Sequence, residues 1–460
     1  MKLLLYLPLS FLAVAATCAG AVPTAAASPA ISTVARPQRP TLREFIGLNV
    51  HTVQFKPDLY KPVCRLLRDY HPIEWDFGSD TSRPTTFPMA ANGVDWRSLY
   101  GKWTEAGYDV DACLMFDNLK PEHWKNSARD ARAYGEAFAR YFGPSGKHPW
   151  VSSAEVGNEP AAYSDPQYRE IFRAMAAGLR AGDPKLKIVT CAIATGKVDA
   201  WSKPTSTLDG LHESCDVLNI HSYPFKDLWP MWRRSYPEDP AIPFLASVRN
   251  LIAWRDAHAP GKQIWLTEFG YDSATKPPKA DGPWRQWKGV SDVEQAQFIV
   301  RAFLVLSATD LDRAYLYFFN DQDEPQLHGA SGLTRNFRPK PSFYAMSHLD
   351  RTLGDYYFSR AVAELPGDLY CFEYRKPASS EKVFVAWLPT AGSKPAKKLI
   401  PLGAAAANIY RGERMPLTAD AGAIAADNGS RKNTSKIEWS VVPRGLEIEV
   451  GESPTYLWSH

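Results

Sequence analysis

The chain is poor in the features that mark several functional classes. None of its six cysteines stands in a CxxC pair, which argues against a structural zinc site. No glycine-rich phosphate loop follows the first apolar run, "EFIGLNVH" at 44–51, and that weakens a dinucleotide-binding reading. A formal net charge of +3 over 460 residues offers little with which to hold nucleic acid or an acidic membrane surface. Away from the N-terminus, no segment has the ~20 apolar residues that a membrane-spanning helix needs. His212, Glu213 and His221 do not make a convincing metal trio. Neither a metal nor a cofactor is expected.

The N-terminus is the one long apolar run. "MKLLLYLPLSFLAVAATCAGAV" has one lysine, then apolar residues, then small ones, and Ala19-Gly20-Ala21 fits a signal-peptidase site. Residues 1–21 are read as a signal peptide, with the mature protein secreted or periplasmic and not membrane-bound after cleavage. Five cysteines then remain: Cys64, Cys113, Cys191, Cys215 and Cys371. They read as small buried hydrophobes with at most one or two bridges, Cys191–Cys215 being one pairing open to them. Residues 22–40 read as a linker or as a strand laid on another domain.

Two residue types are abundant. The 37 prolines exceed the average of ~5% and suggest many ordered loops. The 15 tryptophans serve either as core or as a stacking surface, and composition does not choose between them.

From about residue 41, apolar runs alternate with amphipathic ones. Candidate strands are 44–51, 65–70, 108–117, 151–160, 187–196, 215–224, 262–270 and 313–320, eight in all. Helical patterns lie between them at 128–143, 165–182 and 291–310, the last opening on a Ser/Asp cap. Strands alternating with helices imply parallel β-α units. Eight such units over residues 41–350 predict an α/β fold, a (β/α)8 TIM barrel. Residues 351–460 turn to short, turn-separated strands such as "DLYCFEYRKP" and "EKVFVAWLPT", which predicts a small C-terminal β-sandwich. Two sequons, Asn428 and Asn433, fall in this region.

Functional residues of such a barrel sit at the C-terminal ends of its strands. Those ends give His51, Arg68, Asp117, Asn158 with Glu159, Thr195, His221 with Tyr223, Glu268, and Asn320. Glu159 and Glu268 close strands four and seven, on opposite sides of the barrel mouth. Glycoside hydrolysis needs such a pair, one group to protonate the leaving oxygen and one to attack the anomeric carbon or activate water.

The motifs carry a resemblance. "AEVGNEP" (154–160) resembles the strand-four motif of the clan-A glycoside hydrolases, and "IWLTEFG" (264–270) is similar to their strand-seven motif. The "HSY" of 221–223 matches the clan pattern after strand six. Families 39 and 5 are nearest in texture, though Gly157 stands where family 39 often has Trp. The resemblance implies a retaining β-glycosidase acting on a plant, algal or microbial poly- or oligosaccharide. Glu159 would be the acid/base, Glu268 the nucleophile, Asn158 a partner of the sugar 2-hydroxyl, and Tyr223 a holder of the nucleophile. His221 would line the same subsite, and Arg68 would lie near the nucleophile. The clan usually floors the subsite with a strand-eight Trp, for which this chain offers Phe318 or Phe319.

His51 and Asp117 are further candidates for substrate contact, with structural roles open to both. Glu155 reads as a buried, paired barrel carboxylate. Trp229 and Trp232 after strand six, and Trp284 and Trp287 after strand seven, could stack on sugar faces. The expected partner is a carbohydrate, and the expected state a monomer. The rival reading is a non-catalytic carbohydrate-binding barrel.

Overall fold

The structure, a computed structural model, describes residues 39–196, 201–419 and 437–460. The expected signal peptide, residues 22–38 of the linker and both sequons lie outside the described residues. Among these residues no helix is long and apolar enough to cross a membrane.

Eight strands form the barrel: β1 (Ile46–Val50), β2 (Leu66–Pro72), β3 (Asp109–Met115), β4 (Ser153–Val156), β5 (Lys187–Ala194), β6 (Val217–His221), β7 (Gln263–Phe269) and β8 (Arg313–Leu316). Each pairs in parallel with the next, and β8 pairs with β1, so the sheet closes on itself. Outside it run α1 (Tyr100–Glu105), α2 (Ser127–Phe142), α3 (Asp165–Gly182), α4 (Phe244–His258), α5 (Asp292–Ser307) and α6 (Pro341–Leu353). Between β5 and β6 the described chain has no long helix, only a two-residue strand at Lys203–Pro204 that pairs with β5 and short 3-10 turns at Thr205–Leu208 and His212–Ser214.

The barrel interior follows from the two-residue period of a strand. Leu66, Val189, Val217, Trp265 and Tyr315 form an apolar layer of their own. Two residues further along β2 stands Arg68, and along β6 Asn219, both fully buried. Two further again come Tyr70 and His221. The interior is thus apolar at one end and polar towards the C-terminal mouth. Between Ile220 and His221 the β6–β7 register shifts, so that His221 pairs with Glu268. Such a bulge re-aims side chains, and here both Thr267 and Glu268 bond to inward-facing residues, Asn219 and Arg68 respectively.

After α6 come two antiparallel sheets. One is ordered β9-β10-β11-β16-β13 and the other β12-β15-β14, with β9 at Tyr357–Leu365, β10 at Leu369–Arg375, β11 at Lys382–Trp387, β12 at Ala396–Ile400, β13 at Ile409–Arg414, β14 at Trp439–Val442, β15 at Gly445–Val450 and β16 at Thr455–Ser459. Alternation along β10 explains the layering. Leu369 and Cys371 join a core with Ile400, Leu446 and Ile448 of the second sheet. Tyr370, Phe372 and Tyr374 join the cluster that contains the barrel core. The larger sheet is therefore apolar on both faces. The molecule is a (β/α)8 barrel with a C-terminal β-sandwich.

The suggested Cys191–Cys215 bridge is absent: all five described cysteines are free and buried. Cys191 Sγ is directed at Ala192 O (3.7 Å) and Cys215 Sγ at His212 O (3.6 Å), not at each other.

Candidate active site

A cavity of about 490 Å³ opens at the C-terminal mouth, with Glu159 and Glu268 in its wall. That is an ordinary size for a small-molecule site. A larger groove, about 660 Å³, lies outside the barrel along α3, between Asp165, Arg169, Glu170 and Arg173. Its lining is half-buried or exposed and of mixed charge, with no buried polar group converging on it. The mouth cavity is the chemically organised one.

Glu268 is 6% exposed and held at both oxygens. Oε1 accepts from Arg68 Nη1 at 2.9 Å and from Tyr70 OH at 2.6 Å, and Oε2 accepts from Tyr223 OH at 2.8 Å. Burial alone would favour the neutral acid. The charges of His221 and Arg68 and the two tyrosine hydroxyls outweigh it and bring the carboxyl down to about 2. Glu268 is an ionised carboxylate.

Arg68 is the hub behind it. Nε and Nη2 grip Glu155 in a bidentate pair, each at 2.8 Å, while Nη1 also reaches Asn49 Oδ1 and Nη2 reaches Asn158 Oδ1, both at 2.8 Å. Arg68 and Glu155 are 0% exposed, so removing either partner would strand a buried charge, at a cost of about 3–5 kcal/mol. Arg68 acts through Glu268 and Asn158 and does not reach the cavity.

Glu159 is differently placed. Gly157, two residues before it, has φ +81°, a left-handed backbone that suits glycine, and a Cβ there would lie 3.0 Å from the Phe116 ring. The backbone N–H groups of Asn158 and Glu159 donate to Asp117, at 3.3 and 2.7 Å. Asp117 thus holds the turn and lies behind the cavity, its carboxyl pushed up to about 6 by burial against the pull of those N–H groups. The Glu159 side chain is 27% exposed and meets His221 Nδ1 at 2.9 Å.

The histidine tautomer follows from its neighbours. Asn219 Nδ2 donates to Glu155, so its Oδ1 accepts from Thr267 Oγ1 at 2.7 Å. The Thr267 oxygen is then left to accept, at 3.0 Å, from His221 Nε2. A proton on Nε2 means that the 2.9 Å contact at Nδ1 needs one more proton, carried by His221 or by Glu159. Burial works against charge on His221, but Glu268 and Glu159 overcome it and raise its pKa.

One ligand atom each from Glu159, His221 and Glu268 lie within 4.8 Å of one another. The set suits a metal poorly, because Arg68 stands 2.9 Å from Glu268 and His221 is hydrogen-bonded on both nitrogens.

The structure brings His51, Asn158, Glu159, Tyr223 and Glu268 to the cavity wall. Arg68, His221 and Asp117 stand behind it. Phe319 does not reach it: the ring is fully buried, 4.8 Å from that of Tyr60, because β8 ends at Leu316 and the two-residue alternation does not extend past it. Tyr317 and His328 line the cavity instead. Trp229 and Trp284 lie on the loops after β6 and β7, edge to face at 5.9 Å, and outside the cavity lining. Tyr70, Trp75, Tyr317 and His328 were not singled out in the sequence. Tyr70 was legible, since it stands two residues from Arg68 on one strand and shares its inward face.

No family model matches the chain, and neither does any curated sequence. Solved structures do share its fold. A family 39 glycoside hydrolase from Bacteroides cellulosilyticus WH2 superposes with a TM-score of 0.66 at 15% identity, over 92% of this chain and 83% of that one. A glucosidase from Croceicoccus marinus gives 0.57 at 14% identity, over 91% and 96%. The catalytic domain of GH30 xylanase C from Talaromyces cellulolyticus gives 0.54 at 12%, over 91% and 98%. The likeness is one of fold, and these neighbours are enzymes that act on glycosides.

Proposed function

We propose that the protein is a retaining glycoside hydrolase with Glu268 as nucleophile and Glu159 as acid/base. One observation carries the reading: oxygens of the two carboxyl groups approach within 4.8 Å of each other across the barrel mouth. Retaining enzymes place the carboxyl groups ~5–5.5 Å apart, and inverting ones need ~6.5–9.5 Å to admit water. The asymmetry of the environments supports the roles. An ionised, rigidly held carboxylate suits attack, and a more exposed one sharing a proton with a histidine suits proton transfer.

In the first step Glu268 attacks the anomeric carbon and Glu159 protonates the departing oxygen. In the second Glu159 takes a proton from water, and the sugar leaves with its configuration kept. Tyr70, Tyr223 and Arg68 fix the nucleophile, while Asn158, tied to Arg68, faces the cavity where a 2-hydroxyl would lie. The neighbours named for glycoside hydrolysis share this fold. A carbohydrate is the partner this reading requires.

The test is hydrolysis of aryl β-glycosides followed by NMR of the first-formed anomer. Retention with the β-anomer first is expected, and Glu268→Gln should abolish turnover. First appearance of the α-anomer would replace the mechanism with inversion. Sugar binding without turnover would favour a non-catalytic binding barrel.

A further inference from the structure

The loop after β8 carries a histidine that no motif pointed to. His328 has φ +61°, a left-handed backbone that non-glycine residues rarely adopt and that concentrates at binding sites. The loop is fastened around it. Ser273 N–H donates to Ala330 O at 2.9 Å, Lys340 Nζ reaches the same carbonyl and Asp321, both at 3.2 Å, and Ser331 Oγ donates to Asp272 at 2.5 Å.

The ring is fixed as well. Arg234 Nη2 stands 3.2 Å from His328 Nδ1. A guanidinium only donates, so Nδ1 carries the lone pair and Nε2 the proton. Burial, reinforced by Arg234 and opposed by Asp272 and Glu268, brings the ring's pKa down to about 4 and keeps it neutral. His328 lines the cavity with its ring centroid 4.7 Å from that of Tyr223 and 5.2 Å from that of Tyr317. Its Nε2 has no hydrogen-bond partner among the described residues.

The other cationic groups near the cavity are engaged. Arg68 spends its donors on Glu155, Glu268, Asn49 and Asn158. Arg234 lies against the Tyr223 ring at 4.7 Å, donates to Gly270 O and pairs with Asp272 at 2.7 Å. His221 is held between Glu159 and Thr267. His51 is neutral near pH 7, lowered to about 4 by burial, with Glu268 opposing and Arg68 reinforcing. Among the described residues, nothing in the wall offers a free positive charge, while Glu268 offers a negative one and the Glu159–His221 pair, sharing one added proton, carries no net charge.

We propose that the site takes a neutral sugar and discriminates against uronates, with His328 Nε2–H donating to one of the sugar's hydroxyls. The proposal rests on the glycosidase reading above. A uronate would set its carboxylate beside ionised Glu268 with no unengaged cation among the described residues to pair it. His328 is then a specificity-determining residue that sets a directed donor beside the rings of Tyr223 and Tyr317.

Matched aryl β-glycosides that differ only at C5, hydroxymethyl against carboxylate, test the first half in the full-length enzyme. The glucoside/glucuronide and galactoside/galacturonide pairs serve. Like charges brought together cost several kcal/mol, so kcat/KM for the neutral member of the better pair should be higher by about 100-fold. A uronide cleaved as well as its neutral partner, or better, overturns the proposal. If the wild type cleaves no glycoside, the glycosidase reading fails, yet this one is still decided by calorimetry. A neutral iminosugar should bind more tightly than the same compound bearing a C5 carboxylate, and the reverse order overturns it.

The second half is tested on the preferred neutral substrate. His328→Asn tolerates the left-handed backbone but retracts the donor, and KM should rise about tenfold with kcat little changed. His328→Gln places an amide N–H near the lost Nε2–H and should keep KM within about threefold of wild type. Unfolding midpoints of both should match the wild type, which separates recognition from folding. A wild-type KM in His328→Asn, or an equal loss in both variants, removes His328 from the recognition of substrate.

Discussion

Glu268 and Glu159 differ in what surrounds them, and that difference can be read out separately. Tyr70 and Tyr223 each donate to the Glu268 carboxylate, and such bonds favour the charged form. Each is worth about 1.5–3 kcal/mol, or about one to two pH units. With Glu268 lowered to about 2, the carboxyl is ionised near neutral pH. Removing the bonds must raise that value, so the acid limb of the kcat/KM profile should move to higher pH in Tyr223→Phe and further in Tyr70→Phe/Tyr223→Phe. An unmoved limb would mean that the tyrosines do not tune this carboxylate. Roles are separated by azide. Glu159→Ala keeps its nucleophile and should form a glycosyl intermediate from a substrate with an activated leaving group, then stall for want of a base. Azide needs no base, so it should restore turnover and yield the β-glycosyl azide, whereas Glu268→Ala should give the α-azide. Exchanged products would reverse the assignment. At this scale the sequence was legible where a motif or a period applied. Asn158, Glu159, Tyr223 and Glu268 rest on motifs, and Tyr70 follows from Arg68. Phe319 was misplaced because β8 stops before it, and His328 was invisible because its position depends on long-range tethers to Arg234 and Lys340.

Elements carried a clearer signal than single residues did. The patterns at 128–143, 165–182 and 291–310 correspond to α2 (Ser127–Phe142), α3 (Asp165–Gly182) and α5 (Asp292–Ser307), where caps and apolar periodicity agree. The α3 start shows why: Ser164 and Gln167 form a capping box around Pro166, a residue that suits the first helical turn. Strand ends were softer, as β2 runs on to Pro72 rather than stopping at Tyr70. The β6–β7 bulge was not legible at all, since one extra residue leaves the apolar pattern nearly intact while it turns Glu268 inward. Loops beyond the strands raise a question of reach. Trp229 is 61% exposed and packs edge to face with Trp284 of the next loop. Both stand outside the cavity lining, so they can stack only on sugar units that extend beyond it. Trp229→Ala should therefore leave aryl monoglycosides within about twofold of wild type. On the preferred oligosaccharide it should lower kcat/KM by up to about tenfold, as the loss of a ring-stacking contact of about 0.5–1.5 kcal/mol implies. Equal effects on short and long substrates would make Trp229 an anchor of its own loop.

The whole molecule couples barrel and sandwich through shared burial. Helix α5 is buried on nearly every side from Gln295 to Ser307, and a helix apolar all round belongs between two layers. One layer is the barrel. The other is the larger C-terminal sheet, whose Tyr374 OH reaches Ser307 Oγ at 3.0 Å and Leu304 O at 3.3 Å. A buried polar lock joins them: Arg301 and Trp387 Nε1 both donate to Glu238, at 2.9 and 2.6 Å, and Arg301 Nη1 donates to Thr390 O at 2.8 Å. Glu238 belongs to the same β6–α4 connection as Trp229, so the sheet also steadies one wall of the mouth. Two consequences follow for the full-length chain. Unfolding should be a single calorimetric transition, and Glu238→Ala, which strands the Arg301 charge, should lower its stability by about 3–5 kcal/mol. Truncation after Gly354, just past α6, should give insoluble protein, because the outer face of α5 would be bared as one apolar patch. Two separate transitions, or a soluble and active truncated barrel, would show that the sandwich is an accessory and that the lock at Glu238 is local.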